Sequence, residues 1–177
     1  ADSVPIDLSS IQVAQIARMS TGSSEFDRVL GGGFVEGAVT LLGGEPGIGK
    51  STLALQCAGS LSVADLVLYT TGEESLQQLA LRASRTKIES SNIKTIATSE
   101  LETVLHVAKS TGPKLVVIDS IQTLFSTKQE SAPGSISQVR ACADRLVRFA
   151  KSTSTAILMI GHITKDGVLA GPNCLSI

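Results

Sequence analysis

Apolar residues along this chain fall into short continuous runs, and each run except the last is followed by a segment in which they return every three or four positions. The runs lie within residues 38–42, 65–71, 93–97, 114–119 and 155–161. Strands that are apolar on both faces and alternate with amphipathic helices predict a mainly parallel sheet that is covered by helices on both sides. The expected fold class is therefore α/β, and we expect ligands to bind at the carboxyl ends of the strands.

The segments between the runs have the pattern of amphipathic helices. Helices are predicted for residues 51–58, 75–85 and 135–151, and for a segment that carries Leu101, Val104, Leu105 and Ala108 on one face. Ser99 and Glu102 precede that face with the Ser-x-x-Glu spacing of a capping box, so this helix is predicted to start from a Ser99 cap.

A phosphate-binding loop is predicted between the first strand and the first helix, where the pattern G-x-x-x-x-G-K-[ST] is matched at every fixed position. Its residues are Gly44, Glu45, Pro46, Gly47, Ile48, Gly49, Lys50 and Ser51. Glycines allow backbone N–H groups to turn toward phosphate oxygens, and the helix adds the positive end of its dipole. Lys50 is expected to reach the β- and γ-phosphates and the Ser51 hydroxyl to ligate Mg²⁺. The alternative is a glycine-rich turn that binds no ligand.

A carboxylate at the end of the run 114–119, Asp119, supplies the second part of such a site. An acidic residue on a rigid strand beside a phosphate loop binds Mg²⁺ directly or through water, although many buried strands end in Asp because of the turn that follows. The loop and Asp119 together predict binding of ATP or dATP with Mg²⁺.

Two other strand ends carry further candidates for catalysis. One of Glu73 and Glu74 is expected to accept a proton from, or to orient, the water that attacks the γ-phosphate. The simpler alternative is that both acids occupy the first turn of the next helix, where the dipole favours them, and the two roles are compatible. His162 follows the last strand and is expected to sense the γ-phosphate, unless it merely caps that strand.

Composition and charge narrow the classes of function. The chain has 177 residues, of which 42% are hydrophobic, so it can bury the core of about one domain. Its formal net charge is −1, so any contact with nucleic acid must be local. No apolar run approaches the ~18 residues of a membrane helix, and the N-terminus lacks the pattern of a signal peptide. Neither a disulfide framework nor a zinc site is expected from the widely spaced Cys57, Cys142 and Cys174, which favour a reducing compartment.

Several longer segments are informative as a set. They are residues 18–33 (RMSTGSSEFDRVLGGG), 71–75 (TGEES), 117–122 (VIDSIQ), 161–167 (GHITKDG) and 170–172 (AGP). Together they resemble the bacterial RadA/Sms family of RecA-like DNA repair ATPases, which also occurs in organelles derived from bacteria. The resemblance implies a RecA-type P-loop core, a homo-hexamer, a recombinase as a partner, and ATP-driven motion on single-stranded DNA during branch migration in homologous recombination. The implied location is the bacterial cytoplasm, or the stroma or matrix of an organelle.

The resemblance also assigns residues of the nucleotide site by position. The family's site falls on residues 44–52, which adds Thr52 to the phosphate loop, and its metal-site acid falls on Asp119. Glu73 rather than Glu74 corresponds to the acid that activates water, because it is the first Glu after its strand. His162 begins the second DNA-facing loop, which runs to residue 172.

For DNA contact, the resemblance implies two loops. Lys165 in the second loop would face the pore of the ring. A first loop spans residues 123–135, where Lys128 is the only cation and Phe125 the one candidate for stacking on a base. The DNA assignment therefore depends on the resemblance more than on the residues.

The chain departs from the family at both ends. The family has a four-cysteine zinc module before this core, and a Lys-Asn-Arg-Phe-Gly motif and a protease-like assembly domain after it, and none of these is found in this sequence. We therefore expect a chain truncated at both ends, with a lead-in at residues 1–17, a RecA-like core at 18–172 and a divergent tail at 173–177. Such a chain is expected to be mostly monomeric.

Two functions from different classes remain open. The first is a DNA-dependent ATP hydrolase of DNA repair and recombination, impaired by the truncation. The second is a RecA-like nucleotide-binding switch or assembly module that touches no nucleic acid. The match of residues 161–172 to a DNA-facing loop of the family favours the first.

Overall fold

A five-stranded parallel sheet forms the centre of the computed structural model, which describes residues 4–12, 16–89 and 91–163. The strands of the described residues are β1 (Arg18–Met19), β2 (Phe34–Val35), β3 (Val39–Gly44), β4 (Val67–Thr71), β5 (Ile93–Ala97), β6 (Leu115–Asp119) and β7 (Ala156–His162). The strands β3 to β7 form the sheet, whereas β1 and β2 form a separate antiparallel pair. The predicted α/β fold with a parallel sheet is confirmed.

Five α-helices connect or precede these strands. They are α1 (Ser24–Val29), α2 (Lys50–Ser62), α3 (Leu76–Arg85), α4 (Leu101–Thr111) and α5 (Ile136–Thr153), with short 3₁₀ turns at Leu8–Ser10 and Ile121–Thr123. In the part of the chain that the structure describes, none of the helices has the length and apolar character needed to cross a membrane.

The order of the strands in the sheet is β3-β7-β6-β4-β5, and all four pairings are parallel. Gly44 at the end of β3 pairs with His162 at the end of β7, and Asp119 at the end of β6 pairs with Thr71 at the end of β4. Because paired parallel strands run in the same direction, these four ends meet at one edge of the sheet. The strands that carry the predicted motifs are therefore neighbours, and β5, which carries none, lies at the far side.

Alternate residues of the strands supply two separate cores, one on each face of the sheet. On β6, Val116 and Ile118 pack in one cluster with α4 and α5, whereas Leu115 and Val117 pack in the other with α2 and α3. All four side chains are at most 1% exposed, and burial of each contributes about 1.5–3 kcal/mol. Helices thus cover both faces, as the continuous apolar runs predicted.

The segment of residues 20–27, before β2, is held by internal hydrogen bonds and by a close contact with α2. Asp27 accepts hydrogen bonds from the Ser20 hydroxyl at 2.6 Å and the Thr21 backbone N–H at 2.7 Å. Gly22, at φ +81°, lies so close to Ser60 of α2 that a Cβ there would come within 2.4 Å of the Ser60 hydroxyl. Glycine is therefore required at this contact, which places α1 against the helix that follows the phosphate loop.

The capping box predicted for Ser99 and Glu102 is wrong. The N-cap of α4 is Glu100, and its side chain makes no capping bond. Ser99 instead donates its hydroxyl hydrogen to the Gly72 carbonyl at 3.4 Å, and Glu102 turns away toward α5. A complete capping box is present one helix earlier, where Ser75 and Gln78 each bond to the other's backbone N–H at 3.2 and 3.0 Å.

Glu102 is the centre of a polar cluster that fastens the loop after β6 to two helices. It accepts hydrogen bonds from the Ser126 hydroxyl at 2.7 Å and the Thr127 backbone N–H at 3.3 Å, and it pairs with Arg145 of α5. Burial disfavours its charged form, but the bonds from Ser126 and Arg145 outweigh that effect and lower the pKa of Glu102 to about 2. On the same loop, the backbone N–H of Ser126 donates to Gln138 of α5 at 3.0 Å.

Glu102→Gln is expected to lower the free energy of unfolding by about 2 kcal/mol near pH 7, because it removes charge-assisted hydrogen bonds from a partly buried cluster. Since the pKa of Glu102 is lowered in the folded state, its contribution is complete above about pH 4.5 and is lost as the pH falls toward about 2. Urea unfolding at several pH values measures both effects. The matched control is Glu130→Gln on the exposed part of the same loop. If the difference in the free energy of unfolding between Glu102→Gln and the parent did not become smaller at low pH, this role would be contradicted.

Candidate functional site

The phosphate-binding loop joins β3 to α2 over residues 45–49. Gly47 and Gly49 have φ values of +83° and +95°, a conformation that residues with a side chain rarely adopt, so the loop requires glycine at both positions. Gly49 is also the N-cap of α2, and its carbonyl accepts the N–H of Leu53 at 2.9 Å. The first backbone N–H groups of α2 therefore border the loop, where the helix dipole attracts an anion.

Lys50, the first residue of α2, is only 6% exposed. Its amine donates hydrogen bonds to the carbonyl oxygens of Gly44 at 2.7 Å and Glu45 at 2.5 Å. Burial lowers the pKa of this amine, while the negative charges of Asp119 and Glu45 oppose the change. The side chain is thus folded along the loop, with its charged end beside the first loop residues.

Tyr69 links the phosphate loop to the end of β6. Its hydroxyl donates to Asp119 Oδ2 at 2.8 Å and lies 3.4 Å from the Ser51 carbonyl oxygen, and its side chain is fully buried. Burial and then the charge of Asp119 raise the pKa of the phenol, so it acts as a protonated donor. This one side chain holds the first turn of α2 next to Asp119.

Tyr69 contacts the backbone of one predicted Mg²⁺ ligand, Ser51, and the carboxylate of the other, Asp119, so the two residues lie on either side of one phenol hydroxyl. Both offer oxygen donors, and Mg²⁺ is commonly held by one or two protein oxygens together with the phosphates of a substrate. Tyr69 bonds to Oδ2 of Asp119, which leaves Oδ1 for a metal ion or a water bound to it. The donor set therefore fits Mg²⁺.

Glu73 and Glu74 lie in the bend between β4 and α3, and the first turn of α3 holds no acidic residue. The alternative that placed both acids in that turn is wrong, because Ser75 caps the helix after them. Glu73 is exposed, whereas the half-buried Glu74 forms an ion pair with Arg82 of α3. Two adjacent acids thus have different surroundings, and only Glu74 is held by a cation.

His162 is fixed through its backbone. Its N–H donates to Gln122 Oε1 at 3.2 Å, and its carbonyl accepts from Gln122 Nε2 at 3.1 Å. The next residue, Ile163, donates its N–H to the Gly44 carbonyl at 3.0 Å. The imidazole Nδ1 is buried and has no hydrogen-bond partner among the described residues. A polar atom in this state is available to a ligand of the adjacent loop.

The phosphate loop, the start of α2, α3 and the end of β7 border one cleft of about 230 Å³, which is lined by Gly47, Gly49, Lys50, Ser51, Thr52, Arg82 and His162. All of its lining residues except Arg82 were candidates from the sequence. Asp119 is connected to the cleft by Tyr69, whose hydroxyl contacts both Asp119 and the Ser51 carbonyl oxygen. Glu74 is connected to it by its ion pair with Arg82. The structure therefore brings together the phosphate loop, the acid of β6 and the histidine of β7.

Of the residues predicted for DNA contact, the two that the structure describes, Lys128 and Phe125, do not line this cleft. Lys128 is exposed on the loop that Glu102 and Gln138 hold, and Phe125 is half-buried with its backbone tied to both ends of the Ser99–Leu101 segment. Lys165 lies outside the described residues, as do residues 164–177 and with them Cys174.

Three residues of the site were not found from the sequence. Tyr69 belongs to a strand that was predicted only as part of the core, although its alternation with Val67 placed it on the α2 face. Arg82 follows the Ser75 cap by two helical turns, but nothing in the helix pattern indicated a partner outside the helix. Gln122 ended one of the segments on which the resemblance depends, yet no role was assigned to it.

Comparison with known proteins gives a family. A family model described as an AAA domain matches residues 9–168. The DNA repair protein RadA of Pseudomonas aeruginosa is 49% identical over 168 residues, and RadA of Escherichia coli is 50% identical over the same length. RadA of Bacillus subtilis is 44% identical over 172 residues. The chain belongs to the AAA-domain family, and its resemblance to the bacterial RadA proteins is confirmed.

These relatives are much longer than the chain. The matches cover 95% of the chain and 37% of the Pseudomonas protein, 95% and 36% for the Escherichia protein, and 97% and 38% for the Bacillus protein. The chain thus spans a little more than a third of the curated relatives it matches.

Tyr69→Phe is expected to keep the fold, because the ring still fills its place, but to weaken ATP binding in the presence of Mg²⁺ by about three- to tenfold. The reason is the loss of one hydrogen bond that orients Asp119. Calorimetric titration with Mg²⁺ measures the effect, and the same titration with a chelator is the control, in which variant and parent should agree. An equal loss without Mg²⁺ would mean that Tyr69 shapes the loop and does not position the acid.

Proposed function

We propose that the chain binds and hydrolyses ATP, or dATP, at the cleft between the phosphate loop and the ends of β4, β6 and β7. The single observation that supports this most strongly is the convergence of Lys50, Ser51, Asp119 and His162 at one edge of the sheet. A cation, two metal-binding oxygens and a histidine beside a glycine loop are what phosphoryl transfer uses.

Each group has a separate task in this proposal. The N–H groups that border the loop and the amine of Lys50 neutralise the phosphates. Ser51 and Asp119 would hold Mg²⁺, which would supply neutralisation of the phosphates' negative charge. His162, whose Nδ1 is buried and has no hydrogen-bond partner among the described residues, donates an imidazole N–H to an oxygen of the outer phosphate.

Glu73 is proposed as the group that orients or deprotonates the attacking water. It is exposed and free of the ion pair that engages Glu74, so its carboxylate can accept a proton. Glu74 is restrained at both its side chain and its backbone, because Arg82 pairs with its carboxylate and Thr71 Oγ1 accepts its N–H at 3.0 Å. The structural difference between the two acids supports the assignment made from the resemblance.

The role of the chain in the cell is proposed from its relatives, which bear the name DNA repair protein RadA. We infer a DNA repair ATPase that acts on single-stranded DNA during branch migration with a recombinase as partner, and that forms a hexamer where this core is part of a longer protein like its relatives. The exposed Lys128 and, beyond the described residues, Lys165 are the proposed DNA contacts. Because each proposed loop contributes a single cation and the net charge is −1, this contact should be weak and sensitive to salt.

The second candidate is a nucleotide-binding switch that does not touch DNA. One observation favours it: Lys128 is on a loop held by internal contacts, and no aromatic side chain in the described part of that loop is fully exposed. Stimulation of hydrolysis by single-stranded DNA distinguishes the two.

Lys50→Ala is expected to abolish measurable ATP binding, because the only amine beside the described part of the phosphate loop is removed. Calorimetry on the variant and the parent measures this. The exposed Lys109→Ala on α4 is the control and should bind ATP as the parent does. Equal affinity in Lys50→Ala and the parent would show that the nucleotide site is elsewhere.

In a phosphate-release assay, single-stranded DNA is expected to raise the rate of ATP hydrolysis at low salt and to lose this effect as salt is added.

In the same phosphate-release assay, Glu73→Gln should hydrolyse ATP roughly 10²- to 10⁴-fold more slowly while still binding it, because only the water-activating group is removed. Glu74→Gln should retain more activity. Hydrolysis that is indifferent to DNA would favour the switch, and a larger loss from Glu74→Gln would exchange the roles of the two acids.

A further inference from the structure

Arg82 is the one lining residue of the phosphate cleft that no motif assigns. It is on the second turn of α3, and its side chain is 21% exposed. Its guanidinium pairs with Glu74 in the bend before α3, and its side chain lines the cleft together with Lys50 and Ser51. Arg82 therefore lies between the phosphate loop and the bend that holds Glu73 and Glu74.

The position of this guanidinium is set by several independent contacts. The capping box of Ser75 and Gln78 fixes the start of α3, and Leu79, three residues before Arg82, is buried against the sheet. Thr71 holds the backbone of Glu74 at the end of β4. The backbones on both sides of the ion pair are thus held by hydrogen bonds or by packing, so the pair can separate through movement of its two side chains.

The two cationic side chains that line the cleft both have partners within the described part of the chain. Lys50 is engaged by the Gly44 and Glu45 carbonyls, and Arg82 is engaged by Glu74. A nucleoside triphosphate adds several negative charges to this cleft. Guanidinium binds phosphate through the same fork of N–H groups that it uses for a carboxylate, so the outer phosphate competes directly with Glu74 for Arg82.

We infer that Arg82 recognises the outer phosphate of a nucleoside triphosphate, and that Glu74 holds it back by an ion pair that the phosphate displaces. This inference depends on the proposed function, because it requires the cleft to be a nucleotide site. It makes Arg82 a specificity residue for triphosphate over diphosphate, and Glu74 a positioning residue that acts through Arg82. When the phosphate replaces Glu74 as the partner of Arg82, the carboxylate of Glu74 is released beside Glu73.

Calorimetric titration with Mg²⁺–ADP and with a non-hydrolysable Mg²⁺–ATP analogue tests the inference without relying on turnover. Arg82→Ala should bind the triphosphate analogue about tenfold or more weakly, and ADP within about twofold of the parent, because only the outer phosphate loses a charge-assisted contact. Arg85→Ala, an exposed arginine one turn further on α3, is the matched control and should leave both affinities unchanged. Arg82→Lys should fall between, since it keeps the charge but not the fork.

Glu74→Gln gives the complementary result. It should bind the triphosphate analogue more tightly than the parent, since the competing carboxylate is neutral, and this gain should vanish in the double variant Glu74→Gln/Arg82→Ala. Equal loss of ADP and triphosphate binding in Arg82→Ala, or weaker triphosphate binding in Glu74→Gln, would overturn the inference and leave the nucleotide site intact. A parent chain that binds neither nucleotide would overturn the proposed function itself. Circular dichroism melting of each variant identifies a loss of fold, and Arg82→Lys then supplies the comparison.

Discussion

The common register of four parallel strands is the constraint on which the site depends. Gly44 is paired with His162 in the sheet, and Thr71 is paired with Asp119, so residues that are far apart in sequence lie at one edge of the sheet. A slip of one residue would turn every side chain to the opposite face of the sheet. The two cores of β6 would then exchange their apolar partners, and Asp119 would move away from Tyr69. Packing of the core therefore also fixes the geometry of the cleft.

Register places the backbones, but a few polar side chains decide where the functional atoms lie. Tyr69 does this for Asp119, and Gln122 does it for His162 by bonding to both backbone groups of that residue. Burial of a phenol without a partner would be unfavourable, and the carboxylate that satisfies it is the one proposed to bind the metal. Stability and positioning are thus obtained from the same hydrogen bond, so neither partner can be changed without affecting the other.

The strands and the phosphate loop could be predicted because their signals are local. Continuous apolar runs specify buried strands, and the eight loop residues match a spacing that phosphate binding requires. The cap of α4 and the pairing of Glu74 could not be predicted, since each is decided by a residue from another element. Glu102 has the spacing from Ser99 that a capping box requires, yet Arg145 and Ser126 offer its carboxylate stronger contacts than a backbone N–H does. Local propensity fails where a tertiary partner competes for the same side chain.

The loop after β6 illustrates how these anchors combine. At its start, Gln122 ties the 3₁₀ turn to the end of β7, and at Ser126 the loop is tied to α4 by Glu102 and to α5 by Gln138. Gln138 also donates to the carbonyls of Gln129 and Ser131, so the loop is held at several points along its length. Its exposed cation, Lys128, is therefore carried on a segment whose ends are fixed relative to the cleft. Little conformational entropy therefore remains to be lost when this loop binds a ligand. A displacement of β7 at His162 must strain or break the two Gln122 hydrogen bonds before the displacement is passed on to the loop.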